Sequence, residues 1–197
     1  MTDEIAEDEP LAPFARWFDL AATSEPLAET MTLATATRDG MPSLRAVLLK
    51  GADARGLVFY TNIESRKADQ LFDNPHAALC FHWKSLGRQI RIEGTVALVA
   101  EAEADSYFAK RPRDSQIGAW ASDQSRPLAG RDALEQRFAM FTRQYAERPV
   151  VPRPANWSGF RLSPERIEFW QERPFRLHDR VLFIRDGDTW QKQRLFP

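Results

Sequence analysis

Cysteine is nearly missing from this chain: Cys80 stands alone. No intrachain disulfide can form, and Cys80 sits in an apolar run, where it reads as a small buried hydrophobe of a protein kept reduced. Histidine is scarce as well. His76, His82 and His178 are far apart, neither they nor Cys80 show metal-ligand spacing, and no metal site is expected. An excess of one charge is also lacking. Lys plus Arg number 27 and Asp plus Glu 28, a net charge of -1, which excludes bulk attraction to nucleic acid or to an anionic membrane. Any anion site must therefore be a local cluster. No apolar run approaches the roughly 18 residues of a membrane span. The acidic start, Met1 to Glu9, lacks the apolar centre of a signal peptide, so a cytoplasmic location is expected. Glycine-rich phosphate loops of the Gly-x-Gly-x-x-Gly and Walker types are absent, and so is a Gly-x-Ser-x-Gly elbow.

What is present reads mainly as short antiparallel strands. Residues 1–30 form a leader, loose over the first nine or so, with a short helix implied by Leu11, Phe14, Phe18 and Ala21. Strand patterns follow at Met31–Thr37, Ser43–Lys50, Leu57–Thr61, Ala77–Trp83 and Arg88–Val99; the first two read as a hairpin through Asp39-Gly40, and the run from Arg45 to Thr61 as a second one turning at Gly51–Gly56. Ser65 is placed to cap a helix that Asn74-Pro75 stops. Helical patterns occupy Glu101–Lys110 and Arg131–Ala146, the second with Leu134, Phe138, Phe141 and Tyr145 as an apolar stripe best explained by core packing. The tail returns to strands at Trp157–Leu162, Arg166–Gln171, Val181–Arg185 and Thr189–Leu195. The expectation is a single β-barrel domain over 31–197 with helical insertions around 101–146.

Two stretches carry chemistry. Between Arg45 and Lys67, the side chains of Arg45, Lys50, Tyr60, Thr61, Ser65, Arg66 and Lys67 gather at or near strand ends, and most are natural phosphate ligands. Arg45 and Lys50 are an odd number of positions apart, so a regular strand aims them at opposite faces; two separate anions is the simpler reading, and a solvated strand rim would show the same pattern. In Arg176-Leu177-His178-Asp179-Arg180, alternation puts Arg176, His178 and Arg180 on one face of an extended segment. Such a face repels itself unless an anion or a π-system lies against it, or unless Asp179, Glu172 and Glu168 neutralise it. Trp170, Trp157 and Trp120 are candidates to pack beside a planar ring, although tryptophan is more often core.

Taken together, several motifs resemble the pyridoxamine 5′-phosphate oxidase family. They are Arg-Ala-Val-Leu-Leu-Lys-Gly at 45–51, Phe-Tyr-Thr-Asn with Ser-Arg-Lys at 59–67, Arg-Gln-Ile-Arg-Ile-Glu-Gly at 88–94, the run from Tyr107 to Ser122, Gln124-Ser125, Ile-Glu-Phe-Trp-Gln at 167–171, Arg-Leu-His-Asp-Arg at 176–180 and the terminal Arg-Leu-Phe-Pro. The resemblance implies an FMN-binding split β-barrel of antiparallel Greek-key type. It also implies a homodimer with FMN at the subunit interface, acting on phosphorylated B6 vitamers with O2 as acceptor and H2O2 as product. It would place FMN on Arg45, Ala46, Val47, Leu48, Leu49, Lys50, Tyr60, Thr61, Arg66, Lys67, Gln89, Gln124, Ser125, Trp170 and Arg180. The substrate would lie on Lys50, Tyr107, Arg111, Ser115, Arg176, Leu177 and His178, with Arg176 and His178 as the catalytic pair. A split-barrel flavin or deazaflavin reductase with another substrate, or a non-catalytic flavin- or pyridoxal-phosphate-binding module, remains the alternative. The leader departs from the family: Phe14-Ala15-Arg16-Trp17-Phe18 stands where many members carry an Arg-Arg-x-Tyr lid segment.

Overall fold

The computed structural model describes residues 5–197. Helix α1 (Leu11–Ser24) precedes strands β1 (Thr30–Ala36), β2 (Pro42–Leu48), β3 (Gly51–Asp53) and β4 (Gly56–Asn62). Helix α2 (Arg66–Asp73) then leads to β5 (His76–Trp83) and β6 (Arg88–Leu98). Helices α3 (Glu101–Ala109), α4 (Arg113–Ala121) and α5 (Arg131–Tyr145) are followed by β7 (Trp157–Gln171), β8 (Asp179–Asp186) and β9 (Thr189–Arg194). Every strand pairing is antiparallel, along the path β2-β1-β5-β6-β7-β4-β3, with β8 on β7 and β9 on β8.

The ends of that path explain the curl. β2 and β3 lie at opposite ends of the strand order, yet only Leu49 and Lys50 separate them in sequence. The sheet must bend round until its two edges meet, as in a split barrel. At the junction the Leu49 N–H donates to the Glu29 carbonyl (2.9 Å) and the Lys50 N–H to Val58 (2.8 Å), so the chain changes partners between two consecutive residues. This corrects the expected Arg45–Thr61 hairpin, which is β3–β4 alone; the expected hairpin through Asp39-Gly40 is formed, as β1–β2.

Alternation fills the barrel. Leu33, Phe59, Phe81, Ile90, Ile92, Phe160, Phe169 and Phe183 are essentially inaccessible. Helix α1 closes one opening, with Phe14 edge-on to Phe81 (5.6 Å) and Trp17 edge-on to Phe169 (5.3 Å). The leader just before it is not loose where it is described: Ile5 is buried in the core, Glu7 pairs with Arg16, and the Lys192 ammonium donates to the carbonyls of Ala6 and Glu7. Residues 1–4 of the expected loose stretch lie outside the described residues.

Two further expectations change. β7 is one long strand, not two; its register against β6 shifts at Glu93/Gly94, where a Cβ on Gly94 would fall 2.0 Å from the Ser163 carbonyl oxygen, so only glycine lets the strands pass. Gln116–Trp120, which reads in the sequence as a short apolar segment, lies within helix α4. With α3, α5 and Trp157 it builds a second, smaller core around Phe108, Ile117, Tyr145 and Val151.

Candidate active site

A cleft of about 500 Å³ opens where the β2 and β4 ends meet α3 and α4. The strands contribute Ala46, Val47, Leu48, Tyr60 and Thr61, and the β2–β3 link Lys50; α2 contributes Lys67, α3 Tyr107, α4 Ser115, and the loops after α3 and α4 Arg111 and Gln124. Eleven of the sequence-expected residues therefore converge, from segments far apart in the chain.

Lys67 is the hub of the inner end. Its Nζ donates to Gln124 Oε1 (2.7 Å), Thr61 Oγ1 (3.0 Å) and Ser65 Oγ (3.1 Å). Ser65 occupies the N-cap position of α2, but its hydroxyl donates to the Asn62 carbonyl (2.7 Å) and makes no cap bond. Burial, and then the Arg45 charge, push the Lys67 ammonium down to about 8. Arg45 is held beside it by neutral oxygens: Nη1 donates to Thr35 Oγ1 (2.6 Å) and Nη2 to Ser43 Oγ (2.7 Å). Burial, and then Arg66, lower the Arg45 guanidinium below its usual value. Among the described residues none of Arg45, Arg66 and Lys67 has a carboxylate partner, and like charges gathered this way are stable only opposite an anion. That donor set fits a phosphate.

The outer end repeats the logic. Arg111 lies over the Trp157 ring at 4.8 Å and the Phe108 ring at 5.5 Å, and its Nη1 is buried without a hydrogen-bond partner. Burial lowers its guanidinium too. Tyr107 stacks on Tyr60 with centroids 4.0 Å apart and planes 5° from parallel. Burial pushes the Tyr60 phenol up to about 12, so at neutral pH it is a donor and not an anion. Lys50 has only a long contact to Glu29 (3.8 Å). Ser115, Tyr107 and Arg111 thus leave a second set of donors facing the cleft.

The remaining expected residues lie elsewhere. Leu49 is buried in the barrel and does not line the cleft. Arg66 and Ser125 are exposed beyond its edge, Ser125 with a left-handed backbone (φ 72°). Gln89, Trp170 and Arg180 stand directly across from one another on β6, β7 and β8. His178 packs on Trp170 (4.6 Å between rings), and its Nδ1 accepts the Arg173 N–H (3.2 Å), so Nε2 is the ring nitrogen that this bond leaves open. Pro174–Arg176 form one helical turn with left-handed backbone at Phe175 (φ 60°) and Arg176 (φ 63°). The expected extended face of Arg176, His178 and Arg180 is therefore not formed: Arg180 pairs with Glu168 (2.8 Å), Asp179 with Arg173 (2.6 Å), and Arg176 is exposed.

Trp157 and Trp170 begin and end this geometry. They lie at opposite ends of β7, thirteen residues apart, a contour of about 43 Å at strand rise. The resemblance named Trp170 and not Trp157 as a flavin residue, yet it is Trp157 that lines the cleft; Asn62, Gly118, Ala119 and Ser122 were likewise missed as cleft residues. Their signals were weak: a polar strand end, a glycine and an alanine inside a helix, a serine after one.

Comparison with known proteins identifies the family. Residues 22–145 match the family model described as pyridoxamine 5′-phosphate oxidase, and residues 157–197 match the pyridoxine 5′-phosphate oxidase C-terminal dimerisation region. A pyridoxine/pyridoxamine 5′-phosphate oxidase from Rhodospirillum rubrum is 59% identical over 199 residues, covering 98% of each chain. One from Sphingopyxis alaskensis is 61% identical, covering 100% of this chain and 91% of its own. Among solved structures, PhzG from Burkholderia lata, in complex with tetrahydrophenazine-1-carboxylic acid, superposes with a TM-score of 0.92 at 32% identity over 98% of this chain and 95% of its own. An FMN-binding protein from Nostoc punctiforme shares the fold at TM-score 0.77 and 19% identity, covering 96% of this chain and 98% of its own. The chain belongs to the pyridoxamine 5′-phosphate oxidase family.

Proposed function

We propose that the protein is an FMN-dependent oxidase that converts pyridoxamine 5′-phosphate and pyridoxine 5′-phosphate to pyridoxal 5′-phosphate, working as a homodimer. The observation that carries this reading is two cation sets without a close carboxylate: Lys67 at the inner end of the cleft, with Arg45 beside it hydrogen-bonded only to neutral oxygens, and Arg111 at the outer end, its Nη1 buried without a partner. Two anions are needed to balance them, and a phosphorylated flavin beside a phosphorylated substrate supplies two.

In this reading Arg45, Arg66 and Lys67 hold the FMN phosphate, and Thr61 and Gln124 orient the Lys67 ammonium. Tyr107, Arg111, Ser115 and Lys50 hold the substrate phosphate. Fixed at that point, the substrate ring is aligned by its own phosphate, which converts binding energy into geometry. Bound FMN would supply the two-electron chemistry, taking a hydride from substrate C4′ and passing the electrons to O2 as H2O2; with the amine substrate, water would then hydrolyse the resulting imine to the aldehyde and release ammonia.

Arg176, Leu177 and His178 belong to the other end of β7, and we assign them to the site of a second copy, together with Gln89, Trp170 and Arg180. Support comes from the exposed apolar side chains there, Phe175 (92%), Leu177 (66%) and Phe196 (94%), an arrangement that marks a surface meant to be covered. From that position Arg176 covers the substrate ring, and His178 Nε2 is the atom available to take or give a proton.

The test is direct. Anaerobic addition of pyridoxamine 5′-phosphate to the yellow protein should bleach the flavin, and air should restore the colour with H2O2 formed. A flavin that keeps its colour under substrate, or a purified protein that takes up no FMN, would reject the proposal.

A further inference from the structure

On the β6–β7–β8 face, one carboxylate holds two cations. Glu168 is 8% exposed. Its Oε1 accepts from Arg180 Nε (2.8 Å) and its Oε2 from Arg91 Nη1 (3.3 Å). Arg91 stands directly across from Glu168 in the β6–β7 ladder, and Arg180 directly across from Trp170, two residues further along β7. Glu168 and Trp170 therefore share a face, and Glu168 reaches Arg180 on the diagonal. Arg180 has a second tether: Nη1 donates to the Phe196 carbonyl (2.9 Å). With Nε and Nη1 both engaged, the guanidinium is fixed in plane and direction, and Nη2 has no partner among the described residues.

We propose that Glu168 is a positioning residue that clamps Arg180 so that its free Nη2 edge is aimed at the flavin, with Arg91 as the outer arm that keeps the carboxylate in plane. This rests on the reading above in which Arg180 meets FMN. The physical case is that an arginine side chain left to itself samples many rotamers, and that freedom is lost again whenever it grips a ligand. Glu168 removes the freedom beforehand. Arg91 is itself steered by Glu93, whose Oε1 accepts from Arg91 Nη2 (2.9 Å), and Glu93 is in turn met by Arg166 (3.3 Å). The buried carboxylate consequently faces two cations from two strands and does not belong to an isolated pair.

The readout is FMN affinity of the full-length apoprotein, measured by quenching of flavin fluorescence, beside thermal melting of the same samples. Arg180→Ala is expected to weaken FMN at least tenfold. Glu168→Gln keeps the volume and removes the charge, and is expected to weaken FMN about fivefold to tenfold. The double variant is expected to bind no more weakly than Arg180→Ala alone, because Glu168 acts through Arg180; a merely structural Glu168 would add its own loss. If Glu168→Gln fails to fold, Arg91→Gln, on a half-exposed side chain, tests the clamp from its outer arm and should weaken FMN about threefold. Arg180→Ala with wild-type FMN affinity removes the flavin role of Arg180, and the clamp with it. Arg180→Ala weakened while Glu168→Gln, or Arg91→Gln in its place, binds as wild type overturns the clamp alone, as does a double variant whose losses add.

Discussion

Gly159 stands directly across from Tyr60 in the β4–β7 ladder, and the phenol ring lies so close over it that a Cβ there would come within 2.7 Å of the ring. The same Cβ would press on Val99 at 3.1 Å, so the backbone cannot give way on that side. Gly159→Ala should drive the Tyr60 ring off its stack with Tyr107 and into the cleft. Overpacking of this kind costs about 1–3 kcal/mol. A lower melting temperature together with a raised KM for pyridoxamine 5′-phosphate is the expected result; an unchanged KM would mean that the aromatic stack does not shape the substrate pocket.

Arg111 makes a sharper separation between binding and chemistry. It meets aromatic faces and carries a buried Nη1 without a partner, so its value lies in the anion it awaits. Arg111→Lys loses the flat stacking on Trp157 and the fork of donors, and should raise KM by a factor corresponding to about 1.5–3 kcal/mol, with kcat changed much less. Steady-state kinetics with pyridoxamine 5′-phosphate check this, and a fall confined to kcat would contradict it.

Much of this was readable in advance, and the failures share one cause. Strand alternation in Arg88–Val99 and the apolar stripe of Arg131–Ala146 reported burial directly, because periodicity is a local property. The motif residues converging on the cleft were identified by resemblance, and the fold brings eleven of them together. What local pattern missed was partner choice. The Arg45–Thr61 run looks like one hairpin, but β2 ends at Leu48 and stays with its neighbour β1, while β4 takes the short β3 on one side and β7, from far along the chain, on the other. The same blindness hid the separation of Trp157 from Trp170: both read as aromatic residues near the chemistry, and only a continuous β7 shows that a single subunit holds them far apart.

With Lys67 at the proposed FMN phosphate site, its ammonium should link flavin binding to pH. An ordinary lysine titrates at 10.5, and here burial and Arg45 bring it to about 8. Between those values the unfolded chain binds the proton that the folded apoprotein has lost, so the contribution of this group to apoprotein stability rises with pH across that window. A phosphate at Nζ reverses the balance by restoring the charge. FMN binding should then take up a proton above about pH 8, and affinity should be full below that pH and fall above it. Fluorescence titrations from neutral pH to about pH 10 should show the decline in wild type and lose it in Lys67→Gln, which should also bind FMN more weakly throughout. A wild-type affinity that stays flat over this range would remove Lys67 from the phosphate site.

Arg176 should behave in the opposite way to Lys67. It is exposed, has a left-handed backbone and follows the end of β7 opposite Trp157 and the cleft. Arg176→Ala should keep its yellow colour through dialysis while turnover falls by roughly 10²-fold, the scale of losing alignment over the reacting carbon. Turnover at the wild-type level would reject its catalytic role.

The two-ended geometry of β7 makes one prediction that no single-subunit site can share. If Lys67 and Arg111 act from one protomer and Arg176 from its partner, a protein disabled by Arg111→Ala and one disabled by Arg176→Ala carry complementary defects. Unfolding and refolding them together in equal amounts should give mixed dimers in half of the molecules. Each mixed dimer has one site with both defects and one site with none, because two-fold symmetry puts the intact Arg111 and the intact Arg176 in the same place. Activity should recover to about one quarter of the wild-type value from two parents that are each nearly inactive. Were all of these side chains to serve a site within one subunit, every site in the mixture would retain a defect, and no activity would return.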